Sequence, residues 1–301
     1  MRGLLVVGDV VTDVVARHRS PLAPATDTAA EIRTLPGGAG ANVACWAARS
    51  GCADVRLLGR VGTDAADWHE GALRAAGVRP QLVRDAEAAT ATVIALVDAG
   101  AERTFLTDSG AALRLSPADW SPAFLDGVAH LHLSGYLFFA AASRATARRA
   151  LLDAREAGIP VSVDPASAGF LAELGADRFL AEVEGAQVLF PNADEARLLT
   201  GCPGPAEAAA ALSRIFPLVA VTVGEKGAVV AESGSVTAEV AAPAVRPVDS
   251  TGAGDAFTGA FLAARLAGAD APRAAESGCR AGAEAVVSVG GRPTTAGPHA
   301  P

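Results

Sequence analysis

Asp249-Ser250-Thr251-Gly252-Ala253-Gly254-Asp255-Ala256-Phe257 is the stretch of this 301-residue chain whose reading settles the fold. Gly252 and Gly254 let successive backbone N–H groups turn toward one ligand. Phe257, Ala260, Phe261 and Ala264 then recur at helical spacing, so the loop opens directly into an amphipathic helix. The unpaired N–H groups and the positive dipole end at a helix start make this junction an anion site. Asp255 falls in the first turn. Alone it would be a charge complement to the dipole; beside a glycine cradle it is equally a general base, which the dipole is expected to keep ionised near neutral pH. The dinucleotide fingerprint G-x-G-x-x-G fails here, because Phe257 stands at the third glycine and Pro247-Val248 is a poor strand end.

Working outward, Gly37-Gly38-Ala39-Gly40-Ala41-Asn42-Val43-Ala44 is a second glycine-rich entry into a helix. Its glycines allow a small polar molecule close to the backbone, and Asn42 offers a donor and an acceptor to a hydroxyl. Around these elements, short apolar runs alternate with Ala-rich helical stretches. Strands are expected at 4–7, 55–58, 128–133, 161–163, 188–190 and 219–223, and helices at 42–49, 65–76, 143–157, 195–199, 206–215 and 256–267. Such alternation predicts a mostly parallel sheet covered on both faces. The strand-like pieces 10–17, 31–35, 92–97 and 104–107, the last two flanking Asp98-Ala99-Gly100-Ala101, read either as a small antiparallel sheet beside it or as an edge extension of the main sheet, between which periodicity does not choose. Residues 294–301 read as a polar tail.

Composition narrows the function. The chain is 50% hydrophobic with 5% aromatics, so Ala, Val and Leu must fill a large core. Its net charge of −8 argues against nucleic-acid and anionic-membrane surfaces. Lys226 is the sole lysine, and Gly227 follows it, which excludes a Walker A loop. No H-R-D or D-F-G occurs, which excludes a protein kinase. Cys45, Cys52, Cys202 and Cys279 lack C-x-x-C spacing and read as reduced thiols. With no long apolar run and no signal peptide before Leu4, a cytoplasmic location is expected. His130 and His132 share a strand face, but no third ligand is evident, so a structural role is favoured over a metal pair. Asp164-Pro165 ends a core strand at a crevice edge.

The two glycine elements resemble the two signatures of the ribokinase-like (PfkB) carbohydrate kinases, and the likeness runs along nearly the whole chain. Gly8-Asp9-Val10-Val11-Thr12-Asp13 resembles that family's first strand with its sugar-binding Asp, and Gly59-Arg60-Val61-Gly62-Thr63-Asp64 its G-x-V-G-x-D. Pro191-Asn192-Ala193-Asp194-Glu195 with Leu199-Thr200-Gly201 resembles its N-x-x-E and L-T-G motifs, and Val221-Thr222-Val223-Gly224-Glu225-Lys226-Gly227 its nucleotide loop.

The resemblance implies one domain over 1–301: a three-layer Rossmann-like α/β fold with a mostly parallel sheet and a small β-sheet lid from segments near 10–18, 31–36 and 91–108. It implies an ATP- and Mg²⁺-dependent kinase of a small sugar or nucleoside. Asp255 would be the base and the 252–254 backbone (Gly252, Ala253, Gly254) the anion hole. Asp13, Gly37, Gly38 and Asn42 would hold the acceptor, while Asn192, Thr222, Gly224 and Gly227 would meet the nucleotide. Glu195 and Asn192 would organise Mg²⁺ through water. Asp249 and Thr251, with carbonyls near Val286, Val289 and Gly291, resemble a monovalent-cation loop of K⁺ type. Ala39 stands where ribokinases often carry Lys, which disfavours ribose, and Ser250 replaces a Thr. A sugar-phosphate kinase would need a clamp, for which Arg33 and Arg103 are the candidates; a non-catalytic sugar sensor would need no base. Members often pair through the lid, so a homodimer is expected.

Overall fold

The computed structural model describes residues 3–100 and 103–294. Ala101 of the expected hairpin, the Arg103 side chain and the tail beyond Thr294 lie outside the described residues. In chain order the strands are β1 (Gly3–Val7), β2 (Val11–His18), β3 (Ala30–Gly37), β4 (Val55–Gly62), β5 (Val78–Asp85), β6 (Ala91–Val97), β7 (Arg103–Asp108), β8 (Val128–Ser134), β9 (Val161–Asp164), β10 (Val188–Leu189), β11 (Leu218–Thr222), β12 (Ala228–Glu232) and β13 (Ser235–Val240). The helices are α1 (Ala39–Arg49), α2 (Ala66–Ala75), α3 (Ala141–Glu156), α4 (Ala168–Leu174), α5 (Ala176–Glu182), α6 (Ala193–Thr200), α7 (Pro205–Leu212), α8 (Ala253–Leu266) and α9 (Ala271–Ala285).

The large sheet runs β13-β12-β11-β10-β9-β8-β1-β4-β5, parallel from β11 to β5 and antiparallel at β11–β12 and β12–β13. Its central strands are continuous apolar runs because both faces are covered. Leu5 and Val7 pack with Leu151 of α3 and Phe179 of α5, whereas Leu4 and Val6 pack with Val43 of α1 and Phe261 of α8. From β1 the chain order diverges, to β4 and β5 on one side and to β8, β9, β10 and β11 on the other. Open α/β sheets bind ligands beyond the carboxyl ends of their strands at such a switch point.

The small sheet has the order β3-β2-β6-β7. Its outer pairs are antiparallel as expected, but β2 and β6 run parallel, which corrects the all-antiparallel reading. The reason is topological: between β3 and β6 the chain passes through α1, β4, α2 and β5 and returns to the sheet in the same sense. Other elements escaped the periodicity argument. In β5, Pro80 reads as a strand breaker, yet β5 is an edge strand that pairs only with β4 and tolerates it. The β12–β13 hairpin turns on Ser233 and Gly234, both at positive φ. In α9, Gly278 and Gly282 weaken the helix signal, but a side chain at Gly278 would strike the Phe257 ring.

Candidate active site

Two helix starts build the site, and they are made differently. At α1, Gly38 is the N-cap at φ +97°, and a Cβ there would lie 2.6 Å from the Asp9 carbonyl oxygen. The Asp9 carboxylate, just beyond β1, accepts from Ala39 N (2.8 Å) and Gly40 N (3.1 Å), and also from Ser134 Oγ (2.9 Å) at the end of β8. Asp9 therefore caps α1 from 30 residues away. At α8, Gly252 is the N-cap in the left-handed region (φ +75°), lies against the Gly291 backbone, and leaves the helix start without a side-chain cap. In that first turn Ala253 N donates at long range to Ser250 O (3.4 Å), just before the helix, and the N–H groups of Gly254 and Asp255 have no acceptor within the helix.

Close packing of α1 on α8 depends on Gly259, where a Cβ would lie 2.5 Å from the Val43 carbonyl oxygen. The approach brings Asn42 Nδ2 to 2.7 Å from Asp255 Oδ2, across 213 residues of sequence, while the buried Asn42 Oδ1 has no hydrogen-bond partner among the described residues. The two glycine elements thus meet side chain to side chain.

Three cavities surround the start of α8. One of about 610 Å³ is lined by Asp13, Gly38, Asn42, Thr251, Gly252 and Asp255. A second of about 580 Å³ is lined by Thr222, Gly224, Gly227, Ala253 and Gly254. The third, of about 200 Å³, shares Gly252 and Asp255 with the first and Thr222, Ala253 and Gly254 with the second, and adds Asp164, Asn192 and Glu195. Ser250 lines all three. Gly37 stands beside this set, against the Asp13 carboxylate.

Several motif residues carry structural bonds. Asn192 Oδ1 accepts from Glu195 N and Glu195 Oε2 accepts from Asn192 N, both at 2.9 Å. This reciprocal pair is the capping box of α6, so N-x-x-E spacing has a structural use independent of any metal. Gly201 ends the same helix at φ +73°, which accounts for L-T-G. Asp64 of G-x-V-G-x-D accepts from Thr90 N (3.0 Å) and Thr90 Oγ1 (2.9 Å), and Arg60 bridges Asp85 and Asp119 at 2.8 Å each. Asp249 accepts from Thr251 N (2.9 Å) and Gly290 N (3.0 Å). Arg33 pairs with Glu31. His130 and His132 both meet Ser162 Oγ at 2.9 Å within the core.

The electrostatics correct one expectation. Burial in the cleft, then the nearby Asp164, Asp9 and Asp13, push the Asp255 carboxyl well above its usual range, against the opposing Asn42 bond. Burial likewise raises Asp13 to about 7, against the opposing pull of Arg292. Asp164 and Glu195 are both raised, by burial first. Such a gathering of uneasy carboxylates in one cleft marks a site that expects cations and substrate.

Sequence reading missed Asp9 as the α1 cap, and no local signal could show it, since its partners are remote. It also missed Arg292, whose Nη2 donates to Gly37 O (2.9 Å) while Nε and Nη1 are buried without hydrogen-bond partners among the described residues.

Comparison with known proteins adds four findings to this geometry. A ribokinase from Bacillus subtilis (strain 168) is 30% identical over 304 residues, covering 98% of this chain and 97% of that one. A fructokinase from Klebsiella pneumoniae is 33% identical over 270 residues, covering 86% and 82%. A chain from E. coli assigned as ribokinase II, solved in complex with ATP and Mg²⁺, superposes with a TM-score of 0.85 at 25% identity, covering 97% and 94%. The model of the pfkB family carbohydrate kinases matches residues 1–296, and the chain belongs to that family.

Proposed function

We propose that the chain transfers the γ-phosphoryl group of ATP to a hydroxyl of a neutral small sugar or nucleoside. The observation that carries this reading is the Asn42–Asp255 contact at the junction of two cavities large enough for an acceptor and a nucleotide. The acceptor lies in the first cavity, with its hydroxyls on Asp13, Gly38 and Asn42 and the small sheet as its lid. Gly37 shapes the Asp13 side of that pocket. ATP lies in the second, along Thr222, Gly224 and Gly227, with its γ-phosphoryl group at Gly252, Ala253 and Gly254.

Asp255 accepts the proton of the attacking hydroxyl. The bond from that oxygen to the γ-phosphorus forms as the bond to the β–γ bridging oxygen breaks, and ADP leaves. The N–H groups at the start of α8 face the charge that spreads over the transferring oxygens, a preorganised arrangement that lowers the barrier. Asn42 Nδ2 holds Asp255 in place and leaves one carboxylate oxygen for the acceptor. A raised pKa makes the ionised Asp255 carboxylate a stronger proton acceptor than an ordinary one.

Mg²⁺ fits the cluster: Glu195 and Asp164 line the small connecting cavity with Asn192, hard oxygen donors whose mutual repulsion a divalent cation relieves. It would supply charge neutralisation at the phosphates. K⁺ fits less well. Asp249 already accepts two N–H bonds, Val286 O accepts from Val248 and Asp249, and Gly291 O accepts from Trp46 Nε1 (2.9 Å). The free state of all four cysteines suits a reducing, cytoplasmic setting.

The small sheet also supports a homodimer. Asp13, Val93 and Thr107 pair across three strands on the cavity side, so the neighbouring row Val14, Ile94 and Leu106 points the other way, with Ile32 nearby. Ile32 is 65% and Leu106 55% exposed. A second copy would cover this patch.

The deciding experiment is ADP release with ATP, Mg²⁺ and a panel of sugars and nucleosides. Turnover of a neutral member supports the reading. Tight sugar binding with no turnover of any member would move the chain to the sensor reading, and preference for a phosphorylated sugar would overturn neutrality.

A further inference from the structure

Aromatic residues make up only 5% of the chain, yet Phe105, Tyr136, Phe139 and Phe170 all line the acceptor cavity. The 3-10 turn Gly135–Phe139 sorts its rings. Leu137 and Phe138 enter the core, where Phe138 meets Phe179 edge-on at 5.7 Å. Tyr136 and Phe139, three residues apart and eclipsed in such a turn, face the cavity instead. Phe170 of α4 stacks on Phe139 with centroids 5.2 Å apart and planes at 26°, and Tyr136 stands edge-on to both, at 6.1 and 5.9 Å. These three rings are half-buried and leave apolar surface facing the cavity. Phe105 joins them from the small sheet, 53% exposed.

The rest of the lining mixes apolar residues such as Val11, Val93 and Leu113 with polar ones. Asp9, Asp13, Asp108 and Asp255 line the cavity, and no Arg, Lys or His does so among the described residues. A phosphorylated or carboxylated acceptor would therefore meet like charge. A free monosaccharide would satisfy Asp13 and Asn42 but leave the three-ring wall uncovered. The volume of about 610 Å³ lies within the roughly 300–1,000 Å³ typical of pockets for larger, partly apolar ligands. Resting on the phosphoryl-transfer reading above, we propose that the acceptor is a nucleoside. Its ribose hydroxyls lie on Asp13 and Asn42, its hydroxymethyl group at Asp255, and its flat base against Tyr136, Phe139 and Phe170. Ser109 and Ser167, also in the lining, offer hydroxyls to the base edge. The transfer balances as before: the hydroxymethyl oxygen bonds to the γ-phosphorus, its proton goes to Asp255, and ADP departs.

The test compares kcat/KM for adenosine, guanosine, cytidine and uridine with that for ribose, fructose and glucose, in wild type and in Phe139→Leu and Phe170→Leu. Leucine keeps apolar bulk and removes the flat ring, so the fold is spared. The expected result is that the best nucleoside exceeds the best free sugar by about tenfold or more, and that this ratio collapses in either variant, as lost base stacking requires. A free sugar turned over as well as every nucleoside, or a ratio unmoved by both variants, overturns the nucleoside assignment while leaving the kinase reading intact. If no compound yields ADP, calorimetric titration decides. Nucleosides binding more tightly than sugars, by a margin that shrinks in Phe170→Leu, supports the assignment and removes only the kinase reading. Equal or absent binding overturns both.

Discussion

The starts of α1 and α8 lie side by side and begin with the same device, a positive-φ glycine, but only one is closed. At α1 the first two N–H groups are consumed by the Asp9 carboxylate. At α8 no side chain caps the start, and the first turn borders three cavities. A helix end satisfied from within the protein is a fixed strut, whereas one left open in a cleft is a place for an anion from outside. In this reading the Asn42–Asp255 bond ties strut to site and sets the attacking side against the phosphate side.

That contrast breaks most sharply at Asp255. Asp255→Asn keeps the shape and the Asn42 contact but removes the proton acceptor, so kcat measured by ADP release should fall about 10²–10⁴-fold. Were Asp255 only a dipole complement, kcat would barely change. Because the folded-state pKa is raised, ionisation of this carboxyl opposes folding increasingly as pH rises above the ordinary carboxylate range, so the same variant should melt at a higher temperature than wild type at pH 8.

At the closed end the effects should exchange. Asp9→Asn leaves one carbonyl oxygen for three donors and should cost about 1–3 kcal/mol of stability, read by denaturant unfolding. Its kcat should fall far less than that of Asp255→Asn. A fall as deep would mean that the two helix starts are not functionally distinct.

A milder probe is pH. Asp13 is raised to about 7, chiefly by burial, so it loses its charge as pH falls through that value. KM for the acceptor should rise between pH 8 and 6 while KM for ATP stays level, and Asp13→Asn should flatten the difference. Because burial raises its carboxyl from the ordinary value of 3.8, Asp13 opposes folding progressively as pH climbs from there to about 7 and fully above it, so Asp13→Asn should gain stability at pH 8.

The smallest effect lies in the core, away from both helix starts. Burial lowers His130 to about 4 and His132 to about 3, so both are neutral in the fold. Their contribution is complete above the ordinary value near 6.5 and is lost as pH falls toward 4. Between pH 7 and 5, His132→Asn should lose less of its melting temperature than wild type. An equal loss would place the acid sensitivity elsewhere.

Much of this was legible in the sequence because it is local. The switch from apolar run to glycine to helix at 249–264 reports itself, and so does the start of α1. What stayed hidden depends on partners far along the chain. Asp9 finds its role only when β1 lies under α1, and Arg292 only when the C-terminal loop reaches Gly37. The spacing Asn192-x-x-Glu195 was legible yet ambiguous, since a capping box and a pair of cation ligands use the same interval. The raised pKa of Asp255 was not legible, because one sequence cannot show how deeply it is buried or how many other carboxylates share the cleft.

The central claim is that the open start of α8 holds the phosphate through its backbone while Asp255 deals only with the proton. Calorimetric titration of ATP with Mg²⁺ into Asp255→Asn, beside wild type, tests it most directly. The backbone donors are untouched and one negative charge is gone, so the account predicts a Kd equal to or tighter than that of wild type. A Kd weakened about tenfold, or 1.4 kcal/mol, would show that Asp255 itself holds the nucleotide and would contradict the division of labour between backbone and side chain.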